Sequence, residues 1–227
     1  MKLFLCGGGS GKQVKETYDK LGKCIDNKKP VLYIPLAMDE NKYESCKEWF
    51  SKEILWFGAS NFEMITSIEN LEKMNFHKYS MIFIGGGNTY SLLKKIKYGQ
   101  IMDKIIQYLN EDGIIWGGSA GAIIFGKEID VCKIEDDNFC DLKDCNGFNY
   151  LKNISILCHL NDNNLKKNLK YLCEISYDKK IIYLPEEDTV FIHDKKISAF
   201  GDKQYVVIEN GKYTYKDIDY LKDEFKD

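Results

Sequence analysis

Through the first two thirds of the chain, short apolar runs alternate with longer stretches whose apolar residues recur at helical spacing. Residues 2–6, 31–35, 62–66, 81–84 and 113–116 read as strands, and 13–26, 42–56, 89–96 and 101–110 as helices. This βαβα rhythm predicts an α/β fold of three layers, α/β/α, around a mostly parallel central sheet. Such sheets bind ligands at the carboxyl ends of their strands, so loops 7–11, 36–40, 85–88 and 117–121 are expected at one edge. Residues 127–150 show no clear period and read as a long surface loop. A strand near 154–157, a helix over 164–176 and a strand over 180–184 follow. The tail carries two hairpin signals: strands 191–193 and 197–200 around Asp194-Lys195-Lys196, and 206–209 and 212–215 around Asn210-Gly211. No repeat or linker interrupts the pattern, so residues 1–227 are expected to form one domain.

Composition narrows the chemistry. Net charge is −3 with both signs mixed, which leaves no basic stripe for nucleic acid. All 32 basic residues are lysines, so an anionic ligand must be held by Lys, by backbone N–H groups or by a helix terminus rather than a guanidinium fork. The apolar runs fall far short of the roughly 20 residues that span a bilayer. No extended apolar stretch opens the sequence, so a cytoplasmic location without membrane attachment is expected. Eight cysteines contain no CxxC pair, and Cys132, Cys140, Cys145 and Cys158-His159 match no common zinc spacing; they read as reduced thiols, with no metal.

Two glycine-rich turns invite a chemical reading. The opening CGGGSGKQ resembles a phosphate loop, but Cys6 stands where its leading Gly belongs and Gln13 where a hydroxyl would ligate Mg²⁺. The dinucleotide pattern fails as well, because Lys12 occupies its last Gly position, so no nucleotide cofactor is expected. The second turn, Gly117-Gly118-Ser119-Ala120-Gly121, lies between a buried strand and a helix, which is the setting of a G-x-S-x-G nucleophile elbow. It would expose Ser119 Oγ at a helix N-terminus, with the Ala120 N–H facing a developing oxyanion. A serine hydroxyl needs a base. His77 precedes a strand and falls at the wrong edge, and His193 sits in a hairpin, whereas His159 follows a strand's carboxyl end. Glu186 or Glu187 after strand 180–184, or Asp136 in the long loop, would supply the orienting carboxylate.

With Ser119, His159 and Glu186 in that order, several segments resemble peptidase family S51, which includes dipeptidase E (an α-aspartyl dipeptidase) and the cyanophycinases. They are IFIGGGNTYSLL (82–93), WGGSAGA (116–122), NGFNYL (146–151) and YLPEEDTVFI (183–192). The resemblance implies a class I glutamine amidotransferase-like fold of the flavodoxin-like type and a serine peptidase acting on short peptides, Asp-X dipeptides among them. It implies Ser119 as nucleophile, His159 as base, Glu186 as triad acid, and the N–H groups of Gly87 and Ala120 as the oxyanion hole. Asn88 is expected to brace the turn and to bind substrate, and Lys12, Lys166 or Lys167 to meet an anionic substrate side chain. The chain departs from the family pattern at Cys158, where many members carry Pro, and at Leu160, where many carry an aromatic.

Two other readings share these residues: a non-catalytic ligand-binding or regulatory protein, and an α/β-hydrolase-type esterase using His193 with Asp136. The expected partner is a small peptide, with neither nucleic acid nor membrane, and a homodimer stays open.

Overall fold

The computed structural model describes residues 1–194, 196–217 and 220–221. The first half follows the sequence pattern closely: β1 (Lys2–Cys6), α1 (Lys15–Gly22), β2 (Val31–Ile34), α2 (Tyr43–Glu53), β3 (Phe62–Met64), α3 (Ile68–Lys73), β4 (Met81–Ile84), α4 (Thr89–Ile96), α5 (Ile101–Asn110) and β5 (Ile114–Gly118). A four-residue helix, α6 (Ala120–Ile123), follows directly, and the rest of the chain adds β6 (Ile154–Leu157), α7 (Asp162–Ile175), β7 (Lys180–Tyr183), β8 (Thr189–His193), β9 (Lys196–Phe200), β10 (Tyr205–Glu209) and β11 (Lys212–Lys216).

The central sheet has seven strands in the order β3-β2-β4-β5-β1-β8-β9. From β3 to β1 every pairing is parallel; β8 and β9 continue it antiparallel. A second sheet, β11-β10-β7-β6, stands beside it. The β8–β9 hairpin forms as the turn residues suggest, although Lys195 lies outside the described residues. In the β10–β11 hairpin both Asn210 and Gly211 take positive φ, 52° and 74°, as a tight two-residue turn requires.

Strand alternation sorts the core. Leu3, Leu5, Leu32, Ile34, Ile82, Ile84 and Ile115 face α4, α5 and α6 on the aliphatic side. Phe4, Tyr33, Phe83 and Trp116 face the other side, against Tyr18 of α1 and Phe50 of α2. Each face is thus closed by helices, giving the three layers.

Local differences from the sequence pattern have physical reasons. The helix expected over 13–26 begins as a 3₁₀ turn, Gly11–Val14, and α1 itself is shorter. Helix α3 has six residues and buries only Leu71, too little for a periodic signal; its Ser67 cap accepts the Asn70 N–H. Residues 127–150 are not simply a surface loop: Ile129, Val131 and Cys132 are fully buried, and a bridge joins Glu128 to Asn146.

Asp188, in the loop between β7 and β8, is 1% exposed, and its Oδ2 has no hydrogen-bond partner. Burial, reinforced by the charges of Glu187 and Asp202, pushes its carboxyl from the ordinary 3.8 up to about 7. Between those values the folded state binds the extra proton, so stability falls as pH rises across that window and levels off above it. Asp188→Asn should therefore stabilise the protein at pH 8 by up to on the order of 4 kcal/mol and flatten the dependence. Thermal melts of both proteins from pH 4 to 8 check this; parallel curves would rule Asp188 out as the source.

Candidate active site

β5 runs into the glycine turn and delivers Ser119 at φ 52°, ψ −116°, a conformation that residues with side chains avoid. The glycines around it permit this by close backbone approach. A Cβ on Gly117 would lie 2.2 Å from the Gly121 carbonyl oxygen, and one on Gly121 would lie 2.3 Å from the Ile84 carbonyl oxygen. Hydrogen bonds lock the turn: the Ser119 N–H donates to the Cys6 carbonyl at 3.1 Å, and the Ser119 carbonyl accepts from Ala122 and Ile123 at 2.7 and 3.0 Å.

His159 follows β6 and also has positive φ, 64°. Its N–H donates to the Gly7 carbonyl at 3.0 Å. Its carbonyl accepts from the side chains of Asn161 and Asn164 at 3.2 and 2.9 Å. The ring so held places Nε2 2.8 Å from Ser119 Oγ and Nδ1 2.9 Å from Glu186 Oε1. A hydroxyl, an imidazole and a carboxylate thus form a continuous chain of hydrogen bonds, part-buried at the edge of the sheet.

The opening glycine loop positions the other two segments. The Gly7 N–H donates to the Asp188 carbonyl at 2.9 Å and the Gly9 N–H to the Glu186 carbonyl at 2.8 Å, tying down the Glu186 loop. Gly8, at φ 125°, leaves room for the imidazole; a Cβ there would lie 2.3 Å from His159 Cε1. The Gly11 N–H donates to Glu53 Oε1 at 2.8 Å, and the buried Glu53 also accepts from Tyr18 at 2.5 Å. Three backbone donors that would cradle a phosphate are therefore committed to the protein, one of them to a carboxylate. Lys12 is exposed and lines a separate cavity with Glu187 and Asp202.

A cavity of about 540 Å³ opens over Ser119 and His159, and all four carboxyl-edge loops contribute to it, through Gly8, Met38, Gly86 and Gly118 among others. The N–H groups of Gly87 and Ala120 donate to no acceptor among the described residues. Gly87 is at φ 133°, and a Cβ there would strike the Ala37 carbonyl oxygen at 2.4 Å. Asn88 spends both ends of its amide on the protein: Oδ1 accepts the Ser91 N–H at 2.9 Å, capping α4, and Nδ2 donates to the Asp137 carbonyl at 2.8 Å. Asp136 Oδ2 accepts the Thr89 N–H at 2.9 Å at that same helix end. His193 pairs in register with Lys2, at the opposite end of β1 from Ser119, and bonds Asp194. His77 pairs with Glu111 at 2.7 Å. Lys166 and Lys167 are exposed on α7 and do not line the cavity.

Sequence reasoning did not assign roles to Asn161, Asn164 or Cys158. The Asn-x-x-Asn spacing before a helical stretch was the available signal for a capping pair that reaches back to His159. Cys158 is fully buried, its Sγ 3.9 Å from the Cys6 carbonyl oxygen and 3.7 Å from that of Ser119, so it fills the space beneath the elbow. Burial pushes the Cys158 thiol well up and that of Cys6 to about 11, which favours the protonated form of both beneath Ser119. All eight cysteines are free. Among the described residues no cluster of His, Cys, Asp or Glu could hold a metal ion, and no helix is long and apolar enough to cross a membrane.

The fold is of the three-layer α/β/α class, with Ser119, His159 and Glu186 hydrogen-bonded in a row at its carboxyl edge. The profile of Peptidase family S51 matches residues 3–200, and the chain belongs to that family of serine-type peptidases. Among solved structures it is similar to a provisionally assigned peptidase E protein of Listeria monocytogenes EGD-e, with a TM-score of 0.71, 23% identity, and coverage of 89% of this chain and 98% of that one. It is also similar to a peptidase from an acI-B1 Actinobacterium, with a TM-score of 0.67, 19% identity, and coverage of 95% and 93%. At these identities the likeness is one of fold. No curated protein sequence matches the chain.

Because Gly8 has both positive φ and the imidazole against it, Gly8→Ala should displace His159 and lower kcat/KM for peptide hydrolysis by at least about 100-fold. The strained backbone should also cost about 1–3 kcal/mol of stability. Peptide turnover and thermal melts measure the two effects; wild-type turnover would show that the close packing does not set the ring position.

Proposed function

We propose that this chain cleaves short peptides through a Ser119-His159-Glu186 triad and an acyl-enzyme, acting in the cytoplasm as one domain over residues 1–227. The observation that carries the reading is the unbroken chain from Ser119 Oγ through His159 to Glu186, at 2.8 and 2.9 Å, with Ser119 held in a strained turn over an open cavity. His159 Nε2 takes the Oγ proton as the oxygen attacks the scissile carbonyl. Glu186 accepts from the Nδ1–H, fixing the tautomer and stabilising the imidazolium that forms. The tetrahedral oxyanion rests on the N–H groups of Gly87 and Ala120. The C–N bond breaks as His159 returns the proton to the leaving amine, and water, deprotonated by the same ring, then releases the acid. Each step uses groups of the chain and water.

The esterase reading needs His193 and Asp136, but His193 sits at the far end of β1 and Asp136 is bonded to the Thr89 N–H. A cavity of 540 Å³ is in the range of small-ligand pockets and suits a peptide of two or three residues rather than an extended chain.

Ser119→Ala and His159→Ala should each reduce kcat by at least about 10⁴-fold with unchanged melting behaviour, whereas His193→Ala should leave turnover within about twofold. Loss of activity with His193→Ala and not with His159→Ala would instead support the esterase assignment. Glu186→Gln should lower kcat by at least about 100-fold, because the amide can present the wrong partner to Nδ1, while Glu187→Gln should not. Steady-state kinetics on all five variants decide between the two glutamates.

A further inference from the structure

The cavity over Ser119 carries a chemical signature of its own. Among the described residues, the only lining residue with an ionisable nitrogen is His159, and no Lys, Asp or Glu lines the space. Its far wall is aromatic. Tyr33, Phe83 and Trp116 come from β2, β4 and β5, and Trp49 from α2 closes the side, with Met38 and Cys46 between.

These rings belong to one row. Cα register pairs Tyr33 with Phe83, Phe83 with Trp116, Trp116 with Phe4 and Phe4 with Phe191, across five adjacent strands. The ring centroids follow at 5.8, 5.8, 6.1 and 4.3 Å. All five rings are at most 4% exposed and belong to the core, and Tyr33, Phe83 and Trp116 also line the floor of the cavity. Trp49 lies 6.2 Å from Tyr33 and 6.1 Å from Phe83 and is 40% exposed, so it forms the rim.

We infer that this wall is the specificity pocket of the enzyme and takes an aromatic or large aliphatic side chain flanking the scissile bond, rather than a carboxylate. The inference rests on the triad proposed above and names its substrate class. An apolar side chain gains burial against the exposed Trp49 ring, Met38 and the small exposed parts of Tyr33, Phe83 and Trp116. An aspartate side chain would lose its water with no cation to meet it, since Lys12, Lys166 and Lys167 all lie outside the cavity.

The test is a panel of free dipeptides in which Phe, Tyr, Leu, Met, Ala, Asp and Lys are varied at each position in turn, assayed with wild type, Trp49→Ala, Trp49→Arg and Ser119→Ala. At one of the two positions, kcat/KM for Phe or Leu should exceed that for Asp and Ala by about 100-fold. Trp49→Ala, at an exposed rim position, should lower kcat/KM for the Phe substrates about tenfold, mainly through KM, and by a clearly smaller factor for the Ala substrates. Trp49→Arg should raise the Asp substrates about tenfold. Wild-type turnover that favours Asp, or that treats Ala and Phe alike, while still vanishing in Ser119→Ala, would overturn the pocket assignment and leave the triad standing. Absence of Ser119-dependent turnover on the whole panel would overturn both.

Discussion

The site depends on one constraint: four backbone segments must pass one another at van der Waals contact at the carboxyl edge of the parallel sheet. Ser119 keeps its strained φ of 52° only because Gly117 and Gly121 meet without side chains and the Cys6 carbonyl holds the Ser119 N–H. His159 is set by the Gly7 carbonyl and by the two asparagines at the start of α7. The Glu186 loop is tied by the N–H groups of Gly7 and Gly9. The opening glycine loop therefore spends its Gly7 and Gly9 N–H groups on backbone carbonyls, and in doing so brings the His159 imidazole and the Glu186 carboxylate to Ser119. The Ser119-His159-Glu186 geometry is thus an outcome of main-chain hydrogen bonds, with the side chains nearly passive once the loops are placed.

A second relation joins core to function. The sheet's aromatic face packs on α1 and α2, and the same register that stacks Phe4 on Trp116 carries Trp116, Phe83 and Tyr33 out to the cavity floor. The opposite face of the sheet is aliphatic and buried under α4, α5 and α6. Changing the floor therefore means changing the core. Trp49, on the rim, can vary without that penalty.

Much of this was legible in the sequence, and what was not has a common cause. The parallel strands read clearly because each is a short buried run between amphipathic helices, and the tight strand-to-helix turn at Ser119 read clearly because glycines at 117 and 121 have few other uses beside a buried strand. His159 stood out by elimination among three histidines. The glutamate rested on alignment, and the structure brings Glu186 to the imidazole. Features set by long-range pairing were invisible: the split into two sheets, the aromatic row across five strands, the capping of α4 by Asn88 and Asp136, and the buried Asp188. Lys12 looked well placed because its loop is near the site, but its side chain faces a different cavity. Helix α3 fell below detection because six residues with one buried leucine carry no period.

The central claim is that Ser119 is a nucleophile activated by His159. Intact-mass and peptide mapping after treatment with a fluorophosphonate tests it most directly. The account predicts a single adduct on Ser119, formed at least about 100-fold more slowly in His159→Ala and at the wild-type rate in His193→Ala. An adduct on another residue, or none, would contradict it.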